Sequence, residues 1–344
     1  MNIEEMKIDF VVTWLDSNDP IWQSDFHIYK GMISVGDQSN ARYRDWDLFR
    51  YWFRAVERYA PWVNRIYLVT NGKFPDWINP NHPKLVLVKH SDYIQTEFLP
   101  TFNSHTIELN MGKIQGLSEH FVYFNDDFYL NSDVTPDYYF KEGLPCDENA
   151  ETVFNVGSYN PISKFTIKII NFTNICVLNG HFSRNKTVKN AFWKWNGFHL
   201  GLVDRIMNFI ISMDPNKRFV GFRERHFEQP FLKSVFEEAW EKEAEMLNNS
   251  CTRFREDVNL SPYFIRYWQF ATNKFYPVKL KNFKKLRLVP DEFHLIRKTL
   301  SDSNIKSICL NDTPLCTEEK YEEFKPILQS LFAEKFPDKS SFER

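Results

Sequence analysis

Three polar residues interrupt an apolar and aromatic stretch in the first half of the chain. The segment HFVYFNDDFYL runs from His120 to Leu130, and Asn125, Asp126 and Asp127 stand at its centre. A solvated loop usually contains Gly, Pro or Ser as well, and a buried strand carries acids only where something pairs with them. Adjacent carboxylates offer the hard oxygen ligands that Mg²⁺ takes in proteins. Capping of a turn or helix is the ordinary alternative role, and the two interpretations are about equally favoured.

Other charged residues stand beside apolar runs at four further places. Asp16 follows IDFVVTW, RERHFEQP contains His226, TRFREDV contains Arg255, and SICLNDT ends in an Asn-Asp turn. In RYRDWDLFRYWFR, Arg50 lies on a helical face that suits pairing with acids or phosphates. Taken alone, each has an ordinary explanation, such as a solvated face for Arg54 and Arg58, an internal ion pair or a structural histidine. The polar residues of interest are Asp16, Arg44, Asp45, Arg50, Asn125, Asp126, Asp127, His226, Arg255, Asn311 and Asp312.

Alternating strand and helix patterns must position these residues. Short β-rich runs occur at residues 8–14, 65–70, 84–89 and 120–124, and helical patterns occur at residues 45–59 and 104–113. Asp45 or Asp47 can cap the first of these helices, and Pro61 ends it. The rhythm predicts an α/β, Rossmann-like fold with a mostly parallel sheet. Ligands of such sheets bind beyond the carboxyl ends of the strands, where Asp16, Asp126 and Asp127 are placed.

Composition excludes several classes of protein. The chain has 344 residues, of which 43% are hydrophobic and 17% aromatic, so a folded core is expected instead of disorder. A net charge of -2 gives no general attraction to nucleic acid. Five cysteines without a C-x-x-C pair suggest reduced thiols, not a disulfide framework or a zinc ribbon. The first residues lack the positive region of a signal peptide, and no apolar stretch reaches the roughly 20 residues of a membrane span, so we expect a cytoplasmic location.

Three later segments permit further expectations. Residues 279–288, KLKNFKKLRL, form a basic cluster that could follow an anionic polymer or hold the protein at the inner face of the membrane, although a solvated face is the commoner role. Residues from Thr317 onward predict a capped amphipathic helix that Pro326 kinks or splits. Trp193 and Trp195 could stack on a sugar, but core packing is the commoner use of Trp.

Together, these segments resemble the Stealth family. IDFVVTWLDSNDPIW, RYRDWDLFRYWFRAVERYAPWVNRIYLVTNGKFPDWI and LPTFNSHTIELNMGKIQGLSEHFVYFNDDFYL are similar to its first two conserved regions. RHFEQPFLKSVFEEAW through TRFREDVNLSPYFIRYW resembles the third region, and SICLNDT resembles the short fourth. The chain departs from the family at Ser17, where Gly is usual, at Trp46, where Asn is usual, and at Leu48, where Glu is usual. The last two departures alter the corner around Asp45.

The resemblance implies an activity. Stealth proteins are sugar-1-phosphate transferases of bacterial capsule synthesis and are similar to the catalytic subunit of the lysosomal-enzyme GlcNAc-1-phosphotransferase. Such an enzyme moves a sugar-1-phosphate from a nucleotide-diphosphate sugar to a hydroxyl of a growing capsular or exopolysaccharide glycan. The product is a phosphodiester, and a nucleoside monophosphate leaves. The implied partners are therefore a nucleotide sugar and a glycan acceptor, and the basic cluster of residues 279–288 could associate peripherally with membrane-bound capsule machinery. The net charge adds no nucleic acid to these partners.

The resemblance also implies roles for the matching residues. Mg²⁺ or Mn²⁺ would be held by Asp126, Asp127, Asn311 and Asp312. The donor would be bound by Asp16, Arg44, Arg50 and Asn125, with catalytic roles for Arg255, His226 and Asp45. Either His226 or Asp45 can be the base. An unperturbed His has a pKa of about 6.5, whereas an Asp must first be desolvated or crowded by other acids, so we favour His226.

The expected organisation is a single catalytic domain over residues 1–344. Residues 1–220 would form the nucleotide-sugar and metal core, in the manner of nucleotide-sugar transferases. Residues 221–275 would form an inserted helical lobe that supplies His226 and Arg255, and residues 276–344 would complete the core.

Two other functions fit the same sequence. A metal-dependent glycosyltransferase would use the same acids, but attack would fall on the anomeric carbon and a nucleoside diphosphate would leave. A glycan-binding protein built on the many aromatic residues would show no turnover. The Arg and His residues of RERHFEQP and TRFREDV suit a transferred phosphate, and the identity of the released nucleotide distinguishes the two enzymes.

Overall fold

The computed structural model describes residues 6–30, 44–153, 166–256 and 259–344. Its strands are β1 (Ile8–Thr13), β2 (Ile66–Thr70), β3 (Leu85–Lys89), β4 (His120–Phe124), β5 (Phe128–Leu130), β6 (Phe140–Lys141), β7 (Leu144–Asp147), β8 (Gln229–Leu232), β9 (Tyr276–Pro277), β10 (Phe283–Arg287) and β11 (Ser307–Asn311). Its helices are α1 (Pro20–Lys30), α2 (Phe49–Tyr59), α3 (Ser104–Leu109), α4 (Pro136–Tyr139), α5 (Thr166–His181), α6 (Arg184–Asn190), α7 (Phe192–Asn196), α8 (Leu202–Ser212), α9 (Lys233–Lys242), α10 (Ala244–Ser250), α11 (Tyr263–Ala271), α12 (Phe293–Ser301) and α13 (Glu318–Lys335).

A five-stranded sheet of order β3-β2-β1-β4-β8 forms the centre of the fold. Its first four strands are parallel, and β8 runs antiparallel to β4 at the edge. The residues of β2 and β4 are buried throughout, as expected of parallel strands covered on both faces. The predicted α/β fold with a mostly parallel sheet is confirmed.

Helix α2 packs its aromatic side against this sheet. Trp52 is fully buried, and its ring lies 5.5 Å from the ring of Phe124 in β4. The helix begins later than predicted, and Leu48 occupies its N-cap without a side-chain cap. The expected capping by Asp45 or Asp47 is therefore wrong. The Asp45 carboxylate instead accepts a hydrogen bond from the Asp47 amide in a turn that precedes the helix.

A second sheet of order β10-β11-β5 joins the C-terminal part of the chain to the loop after β4. Strand β11 is parallel to β10 and antiparallel to β5, with Cys309 opposite Phe128. The Leu310 amide also donates to the Asp127 carbonyl over 2.9 Å. The end of β11 at Asn311, and Asp312 directly after it, therefore lie beside the acid pair that precedes β5.

The helical part of the molecule does not follow the expected division at residue 220. Helices α5 to α8 lie before that position, and β8, which lies after it, belongs to the central sheet. Buried ion pairs anchor the helices. The Arg266 guanidinium donates to both carboxylate oxygens of Asp147 over 2.7 Å, and Arg184 pairs with Glu151.

The last helix and the residues after it close the fold over α2. Thr317 caps α13 by accepting from the Lys320 amide, as predicted, but the helix continues through Pro326 without splitting. Arg54 forms a two-pronged ion pair with Glu343. Arg54 is therefore not part of a solvated charged face, as the sequence suggested, but belongs to an ion pair. Among the described residues, no helix combines the length and apolar character needed to cross a membrane.

Candidate active site

The carboxyl ends of β1 and β4 are tied together at one edge of the central sheet. The Tyr123 hydroxyl donates to Oδ1 of Asn125 and lies 3.3 Å from Oγ1 of Thr13. Just beyond β1, the Asp16 carboxylate accepts from the Asn18 amide over 2.9 Å, which shapes the following turn. Two predicted residues, Asp16 and Asn125, therefore stand beyond neighbouring strands of the sheet.

Asp127 links the acid pair to two other segments. Its Oδ2 accepts a hydrogen bond from the Cys309 thiol over 3.3 Å and lies 3.7 Å from Nε2 of His226. Its Oδ1 is buried and has no hydrogen-bond partner among the described residues. Ligand atoms of Asp127, His226 and Cys309 all lie within 4.8 Å of one another, a spacing that suits a bound cation.

Asp126 stands in a strongly acidic environment. The residue is exposed at the surface, yet the protein around its carboxyl group desolvates it. This desolvation, with the charges of Asp127 and then Asp45, raises the pKa of Asp126 to about 7. The ionised form of Asp126 is therefore disfavoured here, and a nearby positive charge would favour it.

Asp45 faces the same cluster from the segment before α2. Burial, helped by the charges of Asp47 and Asp16, raises the pKa of the Asp45 carboxyl above its usual value, against a hydrogen bond from the Asp47 amide. The Tyr321 hydroxyl of α13 donates to the Asp45 carbonyl over 2.6 Å. The desolvation that a catalytic Asp requires is therefore present at Asp45.

Comparison with known proteins gives the family. Stealth protein CR2, conserved region 2, matches residues 42–146. A capsular polysaccharide phosphotransferase WcwK of Streptococcus pneumoniae is 37% identical over 98% of this chain and 99% of its own length. A receptor polysaccharide phosphotransferase WefC of Streptococcus oralis is 36% identical over 98% of this chain and 99% of its own length. This chain belongs to the Stealth family. The resemblance stated from its sequence is confirmed.

A further relative and two solved structures are similar to this Stealth protein. An exopolysaccharide phosphotransferase cps2G of Lactiplantibacillus plantarum is 36% identical over 98% of this chain and 96% of its own length. The bifunctional glycosyltransferase WbbM, 10% identical, matches with a TM-score of 0.41 over 97% of this chain and 50% of its own. The galactosyltransferase LgtC, also 10% identical, matches with a TM-score of 0.40 over 95% of each chain. Likeness at these scores carries no argument.

The corner where this Stealth protein departs from its family has a structural explanation. The Trp46 indole donates to Oδ2 of Asp312 over 3.1 Å, and its ring packs edge-on against Tyr321. Arg44 donates to Oδ1 of Asp312 over 3.4 Å and pairs with Glu318. Trp46 thus fills the space between the segment before α2 and the turn after β11. These contacts occupy Asp312, one of the four predicted metal ligands.

The remaining predicted arginines have contacts of their own. Arg50 lies 3.8 Å from Asp47 and 5.8 Å from the centre of the Trp77 ring. Arg255 donates to the Ser104 hydroxyl at the start of α3 over 2.9 Å. Asp257, the nearby acid with which Arg255 could form an internal ion pair, lies outside the described residues.

The sequence analysis of this Stealth protein did not single out Cys309 or Lys285. Burial and the Asp127 charge raise the pKa of the Cys309 thiol, and the Lys285 charge opposes this shift. Lys285 is the register partner of Cys309, so both side chains project from the same face of the small sheet. In the sequence, only the basic cluster around Lys285 pointed to this region. The nearness of that cluster to the acid pair depends on pairing between distant segments of the chain.

Proposed function

We propose that this chain transfers a sugar-1-phosphate from a nucleotide-diphosphate sugar to a hydroxyl of a capsular or exopolysaccharide glycan, forming a phosphodiester and releasing a nucleoside monophosphate. The observation that carries the proposal is the meeting of Asp126 and Asp127 with His226 at the sheet edge, in a chain whose full-length relatives are named polysaccharide phosphotransferases. Phosphoryl transfer requires charge neutralisation, positioning and a base.

The acid pair is proposed to hold Mg²⁺ or Mn²⁺. The unpartnered Oδ1 of Asp127 and the acid-crowded carboxyl of Asp126 offer oxygen ligands whose mutual repulsion a cation relieves. Asn311, the last residue of β11, is proposed to contribute a further ligand, whereas the contacts of Asp312 favour a role in orienting Arg44 and Trp46. When bound, a divalent ion neutralises charge on the diphosphate as the bridging oxygen leaves.

Basic residues around this edge are proposed to bind the donor phosphates. Arg50 and Arg255 can each offer a planar guanidinium, which binds two phosphate oxygens at once. Asp16 and Asn125, on the turns beyond β1 and β4, are proposed to contact the donor sugar or nucleoside. Lys285 extends this basic group from β10, so we assign the basic cluster of residues 279–288 to the site and not to the membrane. A cytoplasmic location, at the inner face of the membrane, stays a prediction of the sequence.

We propose Asp45 as the base that accepts the proton of the acceptor hydroxyl. The sequence favoured His226 on the condition that Asp45 is not desolvated, and burial together with Asp47 and Asp16 raises the Asp45 pKa. His226 lies against Asp127 and the edge of the Phe128 ring, which suits a role in holding the acid pair and the phosphate.

The identity of the released nucleotide tests the function. Purified protein is incubated with Mg²⁺, a panel of nucleotide-diphosphate sugars and a capsule oligosaccharide. We expect nucleoside monophosphate in solution and a phosphodiester signal in the phosphorus NMR spectrum of the oligosaccharide. Nucleoside diphosphate with no phosphorus in the product would make the protein a glycosyltransferase. Binding of the oligosaccharide without turnover of any donor would make it a glycan-binding protein.

A further inference from the structure

Helix α8 exposes its apolar side to solvent. Leu202, Val203, Ile206, Phe209, Ile210 and Met213 have exposed fractions between 50% and 74%. At 3.6 residues per turn, these positions share one face of the helix. The face turned toward the protein carries Asp204, Asn208 and Ile211, all of which are buried. The usual orientation of an amphipathic surface helix is therefore reversed.

Specific polar contacts fix this reversed orientation. The Asp204 carboxylate accepts from the Arg223 guanidinium, and the Asn208 side chain donates to the Trp195 carbonyl over 2.9 Å. The Asn208 carbonyl accepts from Arg184, whose guanidinium is held in turn by Glu151. Turning the helix over would leave these buried groups without partners, so the apolar face is held outward by the fold itself.

The apolar surface continues onto the segment before α8. Phe192, Trp193 and Phe198 are each more than half exposed, and Phe198, at 89%, is the most exposed of them. The Arg205 guanidinium lies 5.0 Å from the centre of the Phe198 ring. We call these three aromatic residues and the exposed face of α8 the α8 surface. Isolated exposed apolar residues need no explanation, but a large contiguous group indicates a contact with another apolar phase.

The surroundings of the α8 surface are basic. Residues 182–218 contain seven Lys or Arg and two Asp, whereas the whole chain has a net charge of -2. Lys186, Lys189, Lys217 and Arg218 are exposed, whereas Arg184 and Asp204 are both buried, against Glu151 and Arg223 respectively. A positive rim around aromatic and aliphatic side chains is complementary to anionic lipid headgroups above an acyl layer.

We propose that the α8 surface docks this protein onto a bilayer that contains anionic lipids. Helix α8 has 11 residues and would extend about 16 Å, too short to span a bilayer but long enough to lie in the headgroup region. Leu, Ile and Phe side chains would enter the acyl boundary, and Trp193 would lie at the headgroup level that Trp prefers. Lys186, Lys189 and Lys217 would contact lipid phosphates.

A second copy of the chain fits this surface less well. A two-fold interface brings the same patch of both copies together, so the basic rim of one copy would face that of the other. A lipid surface offers the opposite charge and an apolar layer at once. The inference is independent of the transfer reaction, because it uses no residue assigned to the active site.

Sedimentation with vesicles tests the proposal. Wild-type protein is mixed with vesicles of phosphatidylcholine alone or of phosphatidylcholine with phosphatidylglycerol, at low and high salt. We expect binding to the anionic vesicles that weakens with salt. The variant Ile206→Ser/Phe209→Ser/Met213→Ser should lose at least about tenfold in partitioning, because it removes the inserted groups. Lys186→Gln/Lys189→Gln/Lys217→Gln should lose the preference for anionic vesicles.

The control removes the same number of exposed apolar side chains elsewhere, as Ile21→Ser/Ile28→Ser/Ile327→Ser, and should bind vesicles like wild type. Circular dichroism establishes that each variant is folded. Absence of wild-type binding to anionic vesicles, or equal loss in the control, would overturn the proposal. A wild-type dimer in light scattering that the α8 variant converts to monomer would show a self-interface instead. Release of nucleotide from a soluble donor should be unchanged in the α8 variants, which separates this test from that of the proposed function.

Discussion

Nε2 of His226 lies 3.7 Å from Oδ2 of Asp127, although the two residues come from distant parts of the chain. Asp127 precedes β5, and His226 lies just before β8, the antiparallel edge strand. The contact joins the acid pair to the RERHFEQP segment and places an imidazole beside the proposed cation site.

Removal of the divalent cation should abolish transfer. After treatment with EDTA, we expect no turnover, and addition of Mg²⁺ or Mn²⁺ should restore it. Asp127→Asn should weaken Mn²⁺ binding, measured by electron paramagnetic resonance, at least about tenfold, since even changes beyond the ligands have effects of this size. Asp76→Asn, at an exposed acid that pairs with Lys73, is the matched control. Full activity after exhaustive chelation would contradict the metal proposal.

Cation binding should release a proton near neutral pH. The pKa of Asp126 in the folded protein, about 7, lies above its ordinary value. Protonation of Asp126 therefore favours the folded state. This stabilising contribution is fully present below about pH 4 and is lost as the pH rises through 7. The cation needs the ionised form, so its affinity should rise with pH over this range. Calorimetry in two buffers of different ionisation enthalpy measures the released proton. Asp126→Asn should abolish the release, and an unchanged release in that variant would assign the proton to another group.

Asp45→Asn should stop transfer without preventing donor binding. The variant keeps the size of the side chain but cannot accept the acceptor proton, so donor affinity by calorimetry should stay near that of wild type. His226→Gln should lower both the rate and the affinity for Mn²⁺, because it loses the contact to Asp127. A His226→Gln enzyme with unchanged metal affinity and no transfer, beside an active Asp45→Asn enzyme, would return the role of base to His226.

Arg255→Lys should reduce kcat/KM by about a hundredfold, the usual effect of losing one preorganised donor to a developing charge. Lysine keeps the charge but loses the two-pronged geometry. Arg253→Lys is the matched control, since Arg253 lies two positions away and donates to the Leu99 carbonyl. Equal losses in both variants would indicate a structural role for this loop. A near-normal rate for Arg255→Lys would remove Arg255 from the proposed donor site.

Arg266→Met should destabilise the fold strongly. The substitution leaves the Asp147 carboxylate buried without its cationic partner, which costs about 3–5 kcal/mol in proteins. Urea unfolding followed by tryptophan fluorescence measures the change in the free energy of unfolding. Arg297→Met removes an exposed pair with Glu334 and should change that free energy by less than about 0.5 kcal/mol. Similar effects of the two substitutions would contradict the anchoring role of the buried pair.

Local patterns predicted the central sheet well. The ends of β1, β2, β3 and β4 lie within one residue of their predicted positions, because buried parallel strands are short, continuous apolar runs. Strand β8 was missed since Pro230 argues against a strand interior, and the edge position of β8 explains how the proline is tolerated. The carboxylates at strand ends followed from the same reasoning.

Features that depend on pairing between distant segments could not be predicted. The contact of Cys309 with Asp127 depends on the register of β11 with β5, which no local pattern encodes. The Trp46 contact with Asp312 likewise joins two segments that are far apart in the sequence. Helix α8 has an ordinary amphipathic pattern in sequence, and only its tertiary contacts reveal which side faces outward. Asp45 was judged less basic for the same reason, since its burial arises from the packing of α13.

Strand β11 is the last strand in the chain, yet it is the middle strand of its sheet. During synthesis, β5 and β10 must both wait for residues 307–311 before either can pair in this sheet, so Asn311 reaches the acid pair only after those residues have left the ribosome. A nascent chain therefore carries the acid pair before it has the other residues of the proposed site. Assembly of that site is in this way coupled to synthesis of β11, and a chain that stops before β11 exposes two unpaired strand edges.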